Sequence, residues 1–305
     1  MRISSREIQL VGLNSMLDQQ DKLSKTQQQV ASGNRILRPS DDPVATTQIL
    51  KLRQSVDTTK RYQDNAGAAR DRLGLEEGVL QGVTNSLQRV RELVVKANDG
   101  VQTTETRSYI AAEVRQRLGE MLGLANTQDG NGDYLFAGGK GGTTPFALSA
   151  GSYVYQGDQT DRKIQIGSDR TIADGNHGLD VFGFEKGGAI ENVFNTLSDL
   201  ADALETESGG TLQTSLTNGL TDIDAAMTNM LVVRSSVGTR LNAIDGQQTV
   251  NDDSKLQMKE VLSSLQDLDY ADAVTRLNLQ MAGLDAAQKA YMKVQGLSMF
   301  NYLKI

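Results

Sequence analysis

The chain has no cysteine and no tryptophan, and only one histidine and three prolines in 305 residues. Without cysteine there are no disulfides and no thiolate metal sites, although that absence does not fix the compartment. Aromatic residues make up 5% and hydrophobic residues 38% of the chain. That supply is lean for a thick globular core and ordinary for long thin helices. Charged residues, at 23%, are too few for the high-charge kind of disorder. A basic excess is also missing. The net charge is −7 and no stripe of Lys and Arg stands out, so nucleic acid and anionic membrane are excluded as expected partners. No segment approaches the ~20 apolar residues of a membrane span. The opening MRISSREIQLVGLNS lacks the continuous apolar core of about 7–15 residues that a secretory signal carries. If the protein leaves the cell, another route is expected.

What is present is helical periodicity, on a chain long enough for about two domains. Residues 4–31 carry a narrow apolar stripe of Leu10, Leu13, Leu17, Leu23 and Val30, helped by Met16 and interrupted by Gln20 and Gln27. Two of the three prolines, Pro39 and Pro43, then fall within ASGNRILRPSDDPV. Gly33 and Asn34 tolerate the left-handed conformation that ends a helix. Asp42 before Pro43 is a restart, because Asp accepts from free amides at an N-cap and Pro at the first helical position loses no hydrogen bond. This span reads as a joint between two helices.

The second helix is expected over residues 44–98. Leu52, Thr59, Ala66, Leu73, Leu80, Leu87 and Val94 recur at heptad spacing, with Ala69, Val83, Val90 and Ala97 at the three-residue offset and Glu76 as the polar exception. That is a coiled-coil seam. A third helix over 105–126 presents Ala111, Val114, Leu118, Met121 and Ala125. Residues 129–188 change texture. SYVYQGD, RKIQIG, RTIADG and LDVFGF read as short strands divided by Gly and Asp turns. Helix is expected again from Ile190. Leu216, Leu220, Ile223, Met227, Met230, Arg234, Val237, Leu241 and Ile244 form a seam with Arg234 as its one charge. DGQQTVNDDSK reads as a polar interruption and a bend. The last helix holds Met258, Leu262 and Leu265, then shifts register to Tyr270, Val274, Leu277, Met281, Leu284 and Tyr291, with Gln288 on the same seam.

The predicted fold class is mainly α: a long antiparallel helical bundle or coiled coil with paired N- and C-termini and a small central β-rich insert. Three domains are expected. Residues 1–36 with 254–305 form a terminal coiled coil, residues 43–128 with 190–250 a helical rod, and residues 129–189 the insert.

Chemical motifs fail one by one. His177 lies in a turn with no nucleophile beside it. Asp129, Asn131 and Asp133 begin like a calcium loop, but Tyr134 stands where the tight turn needs Gly and Lys140 where the bidentate Glu belongs. GGKGGTT lacks the Ser or Thr directly after Lys140 that a phosphate loop requires, since Gly141 is there. Asp42 is spent on capping beside Asp41. Asp269 and Asp272 read as capping or solvated residues. No catalytic, cofactor-binding or metal site is expected. The ends differ from the body, because Leu297, Met299, Phe300, Tyr302, Leu303 and Ile305 crowd a terminus that ought to fray. The apolar surface expected to meet other molecules is Leu10, Leu13, Leu17, Leu23 and Val30 with Val274, Leu277, Met281, Leu284, Tyr291, Leu297, Phe300 and Leu303. The joint residues are Gly33, Asn34, Pro39, Asp42 and Pro43.

ASGNRILRPSDDPVA resembles the signature that closes the first helix of bacterial flagellins and their junction relatives. RSSVGTRLNAID resembles the late-helix signature of that family, and LDYADAVTRLNLQMAGLDAAQKAYMKVQGLSMFNYL its C-terminal helix. With residues 71–94, these stretches span both ends and most of the helical body. The start MRIS, the Pro39 and Pro43 spacing, and GDYLFAGGKGGTTPF leading into a small insert resemble the hook–filament junction branch of the family. The resemblance implies a non-enzymatic structural subunit without a cofactor, placed in the extracellular flagellum. Terminal helices would line a hollow axial structure, the second helix and residues 216–244 would form the next shell, and the insert would face outward. It also implies unfolded export through the flagellar type III apparatus, and a cytosolic chaperone on the C-terminal helix. The implied partners are copies of itself, the other hook-associated junction protein and flagellin. A short flagellin forming the filament itself, and a surface-exposed binding module on a helical stalk, are the alternative readings.

Overall fold

A computed structural model describes the backbone of residues 5–99 and 102–302 and the side chains of residues 7, 10–99 and 102–293. Among the described residues seven helices and six short strands follow one another in the order α1 (Ser5–Ser32), α2 (Pro43–Ala97), α3 (Thr104–Ala125), β1 (Phe146–Ser149), β2 (Ser152–Tyr155), β3 (Lys163–Gln165), β4 (Thr171–Ala173), α4 (Gly178–Phe182), β5 (Gly183–Lys186), β6 (Ala189–Asn192), α5 (Val193–Thr206), α6 (Gly209–Gln266) and α7 (Tyr270–Tyr302). The fold is mainly α with a small β insert. The chain divides into two compact units, Met1–Thr58 with Ser254–Ile305, and Thr59–Asp253.

In the unit Thr59–Asp253 the heptads become a core. Ala66, Leu73, Leu80, Leu87 and Val94 of α2 are fully buried, as are Ala69, Val83 and Val90. Ala111, Val114 and Met121 of α3 and Ile223, Met230, Val237 and Ile244 of α6 are buried in the same cluster. The seven-residue spacing keeps each helix's apolar stripe on one side. α5 packs on α3 and buries Phe194, Leu197, Leu200 and Leu204. Gly219 of α6 lies so close to Leu200 that a Cβ there would overlap it. The strands form three separate antiparallel hairpins, β1–β2, β3–β4 and β5–β6, in registers Phe146↔Tyr155, Ile164↔Ile172 and Phe184↔Glu191. Phe136, Phe146, Phe182 and Phe194 anchor this region, with ring centroids 4.8–5.4 Å apart in mostly edge-on contacts. Few aromatics suffice because four of the six phenylalanines are concentrated in one knot.

Three local expectations change. The polar stretch DGQQTVNDDSK is not a bend, since α6 runs through it unbroken. Its polar side chains have partners instead. Gln247 Nε2 donates to Asn251 Oδ1 at 3.0 Å, and the buried Asn251 Nδ2 donates to the Ile166 carbonyl at 2.9 Å. LDVFGF is not one strand. His177 caps a five-residue helix that ends at Phe182 before β5 begins. Helix does not resume at Ile190, which pairs with Glu185 in β6. It resumes at Val193, where Asn192 Oδ1 accepts from the Asn195 amide at 3.0 Å.

In the other unit α1 packs against α7. Gly33 ends α1 with φ +70°, and its amide donates to the Gln29 carbonyl at 2.9 Å. Met258, Leu262 and Leu265 belong to α6, and the register change at Tyr270 is the start of a separate helix.

Candidate functional site

The expected surface residues whose side chains are described lie on α1 and α7, which pack against each other and cover them only in part. Leu23, Val30, Leu277, Leu284 and Tyr291 are half-buried. Tyr291 lies against Gly12, where an added Cβ would sit 3.2 Å from the ring, and Gln19 Nε2 donates weakly to the Gln280 carbonyl at 3.4 Å. Toward the N-terminal end of α1 the cover thins. Leu10 is 52% exposed, Leu13 42% and Leu17 54%. Nearer the start of α7, Val274 and Met281 are both 43% exposed. Val11, Leu279 and Met292 add further uncovered apolar area. Leu297 and Phe300 have side chains outside the described residues, and Leu303 lies outside them altogether.

The joint is tied to a second break. The Arg35 amide donates to the Gln266 carbonyl at 2.8 Å, the Leu268 amide donates to the Gly33 carbonyl at 2.9 Å, and the Arg35 guanidinium reaches the Leu265 carbonyl at 3.0 and 3.3 Å. Gln266 Nε2 donates to Asn34 Oδ1 at 2.7 Å. The gap between α1 and α2 therefore hydrogen-bonds to the gap between α6 and α7. Asp42 Oδ1 accepts from the Ala45 amide at 3.0 Å, the N-cap expected before Pro43. Asp41 accepts from Lys25 Nζ at 2.7 Å and from the Arg38 and Leu37 amides at 3.1 and 3.3 Å. These donors, Lys25 foremost, hold its carboxyl below the usual value. Pro39 lines a recess of about 240 Å³ with Ile36, Leu37, Ile49 and Leu50.

The unit Thr59–Asp253 holds the buried charges. Arg72 pairs with Asp129 and donates to the Tyr134 and Leu135 carbonyls at 3.2 and 3.3 Å. Glu76, the polar exception of the α2 seam, is 1% exposed. Its carboxylate accepts from Asn176 Nδ2 at 2.6 Å, and Arg240 donates to Asn176 Oδ1 at 2.7 Å and to the Gly175 carbonyl at 3.3 Å. Burial pushes the Glu76 carboxyl up to about 7. Arg234, the one charge on the α6 seam, meets Glu77 at 2.6 Å. A buried carboxyl near neutrality can mark a general base, but the recess beside Arg72, Asn176 and His177 is about 10 Å³. That is about one water probe, too small for a substrate. The network instead fastens the loops around 129–135 and 174–177 to α2 and α6.

Asp129 Oδ1 accepts from the Asn131 and Asp133 amides at 2.9 and 3.1 Å while Oδ2 faces Arg72. The calcium-like spacing is thus an Asx turn with its charge already met. Asp269 Oδ1 caps α7 through the Ala271 and Asp272 amides at 2.9 and 3.2 Å, and Asp272 pairs with Arg276 at 3.0 Å. His177 Nε2 lies 3.0 Å from Asp180 Oδ2, and its Nδ1 is 3.4 Å from the Asp180 amide. Sequence spacing missed that Asp161, from the loop before β3, joins this pair, bringing the three ligand atoms within 4.8 Å of one another.

The chain matches the bacterial flagellin N-terminal helical region over residues 3–140. It is 30% identical to flagellar hook-associated protein 3 of Escherichia coli K12 across 100% of both chains. It is 29% identical to flagellar hook-associated protein 3 of Salmonella typhimurium LT2, over 98% of this chain and 99% of that one. A solved flagellar hook-associated protein from Vibrio parahaemolyticus superposes with TM-score 0.69 at 27% identity, covering 74% of this chain and 100% of that one. Hook-associated protein 3 from Legionella pneumophila shares the fold, with TM-score 0.66 at 22% identity over 71% of this chain and 98% of that one. Because the match covers the whole of both chains at 30% identity, the chain belongs to the flagellar hook-associated protein 3 family.

Proposed function

We propose that this chain is a non-enzymatic structural subunit of the hook–filament junction, an adaptor between another hook-associated protein and the flagellin filament. The observation that carries this reading is the exposed apolar surface of Leu10, Leu13 and Leu17 on α1 and of Val274 and Met281 on α7. Two paired helices that leave this much apolar surface in water have more of it than they can hide from each other. Copies stacked around an axis bury the rest, at ~25 cal/mol per Å² removed from water. That gain offsets ordering of the terminal helices, roughly 1–2 kcal/mol per residue.

In this reading residues 1–36 and 254–305 form the inner, assembly-ordered domain. Residues 43–128 with 190–250 form the rod and residues 129–189 the outer insert. Gly33, Asn34, Pro39, Asp42 and Pro43 form the joint that lets the inner helices change angle between a bent hook and a straight filament. The subunit is exported unfolded through the flagellar type III route, with a cytosolic chaperone on α7 beforehand. Deleting the gene tests the reading. Intact hooks with monomeric flagellin leaking into the medium are expected, and loss of the filament's own subunit without such leakage would overturn it. Variants stiffened across residues 33–43 that swim normally would remove the joint from this account.

A further inference from the structure

We propose that Asp161, His177 and Asp180 form a binding site for a divalent transition ion of the zinc class, clasping the loop before β3 to the start of α4. The chain's one imidazole is nearly buried, and its Nε2 stands 3.0 Å from Asp180 Oδ2. Ligand atoms held about 2.0–2.2 Å from a tetrahedral zinc lie about 3.3–3.6 Å from one another. The His177–Asp180 separation of 3.0 Å is a few tenths of an ångström short of that, so a small turn of the ring opens it to the spacing of two adjacent ligands, with the ion replacing the proton between them. Asp161 supplies the third oxygen. Its side chain is exposed and makes no hydrogen bond or ion pair with another described residue, so its carboxylate is free to close on the ion.

The surrounding charges do not oppose this. Arg162, next to Asp161 in sequence, is held by Asp174 through contacts of 2.5–3.1 Å, and Arg72 is held by Asp129. Asp158 lies in the same loop, where its carboxylate accepts from the Gly139 and Thr160 amides. An imidazole with two carboxylates suits zinc, cobalt or nickel rather than magnesium or calcium, which take all-oxygen shells. Two of the three ligands are exposed, so water completes the coordination. The ion also obliges the ring to carry its proton on Nδ1. That nitrogen must then turn away from the Asp180 amide, a weak contact at 3.4 Å; the same amide keeps its bond to the His177 carbonyl at 3.1 Å.

Titration calorimetry of the untagged full chain with zinc chloride in chelator-treated buffer tests this, with visible absorption of the cobalt form as a second readout. One equivalent of zinc is expected to bind, and Asp161→Asn and His177→Gln should each weaken it at least about tenfold. Asp161→Asn keeps the test informative if loss of the His177 cap impairs folding, because Asp161 holds no other residue in place. Absence of saturable binding would overturn the proposal. So would binding unchanged in Asp161→Asn, or equal competition by magnesium.

Discussion

The Glu76 carboxylate and the Asn176 amide meet at 2.6 Å across 100 residues of sequence, joining the middle of α2 to the loop before α4. Because that carboxyl is buried, its folded value of about 7 lies above the ordinary 4.5. The protonated form is the one the fold prefers. Its stabilising contribution is therefore complete below about pH 4.5 and declines as pH rises to about 7, by about 3 kcal/mol in all, then stays level. Glu76→Gln keeps an acceptor for Asn176 and removes the titration. Thermal unfolding from about pH 5 to about pH 8 should show the wild-type midpoint falling relative to the variant's. Parallel curves would show that Glu76 titrates in the fold as it does in the unfolded chain.

Packing at Gly219 and openness at Gly74 make a paired prediction. A Cβ at Gly219 would overlap Leu200 of α5, whereas one at Gly74 meets nothing within 4 Å. Gly219→Ala should destabilise the chain by about 1–3 kcal/mol through overpacking. Gly74→Ala should stabilise α2 by about 0.8–1 kcal/mol, because only helix propensity changes. Denaturant titration of both variants checks the pair, and the prediction is the opposite signs.

The joint allows a test of backbone chemistry. Gly33 has φ +70°, and a Cβ there would stand 2.9 Å from Tyr270 Oη. Gly33→Ala should therefore lose about 1–2 kcal/mol from the left-handed conformation, in addition to displacing Tyr270. Asp42→Ala should lose about 1 kcal/mol by freeing the Ala45 amide. Unfolding followed by a probe in α1 would register both losses. Equal stability of Gly33→Ala and the parent would mean that α1 ends differently.

What the sequence disclosed depended on distance along the chain. The Leu73, Leu80, Leu87, Val94 ladder and its counterpart from Leu216 to Ile244 are local repeats, and a buried stripe follows from them directly. The stop at Gly33 and the restart at Asp42 are equally local. α4 was hidden because five residues make too little helix for periodicity, and its cap is a histidine. The continuity of α6 was hidden because Asn251 is polar yet buried, satisfied by Ile166 from 85 residues away. The same limit applies to the candidate site. The apolar residues of α1 and α7 were readable one helix at a time. The bond from Arg35 to Leu265, 230 residues apart, which couples the two breaks, has no signature in either segment, and nor does the approach of Asp161 to His177.

The exposed end of α1 gives the sharpest test of assembly. Leu13 and Leu17 are 42% and 54% exposed, so a charge at the tip of a longer side chain at either position can reach water in the free chain. Leu13→Glu and Leu17→Glu should shift monomer stability by less than about 0.5 kcal/mol each, as surface substitutions do. In an assembled ring the same carboxylates would be taken out of water with no partner, which is strongly unfavourable. The double variant should therefore purify as a folded monomer with an ordinary unfolding midpoint. In a strain lacking the native gene it should fail to hold flagellin at the cell, so that flagellin appears in the medium and swimming is lost. Thermal melts and swimming assays on the same variants separate the two effects. A double variant that melts normally and restores full swimming would mean that this stripe is not buried between subunits, and the assembly surface would have to be sought elsewhere on the chain.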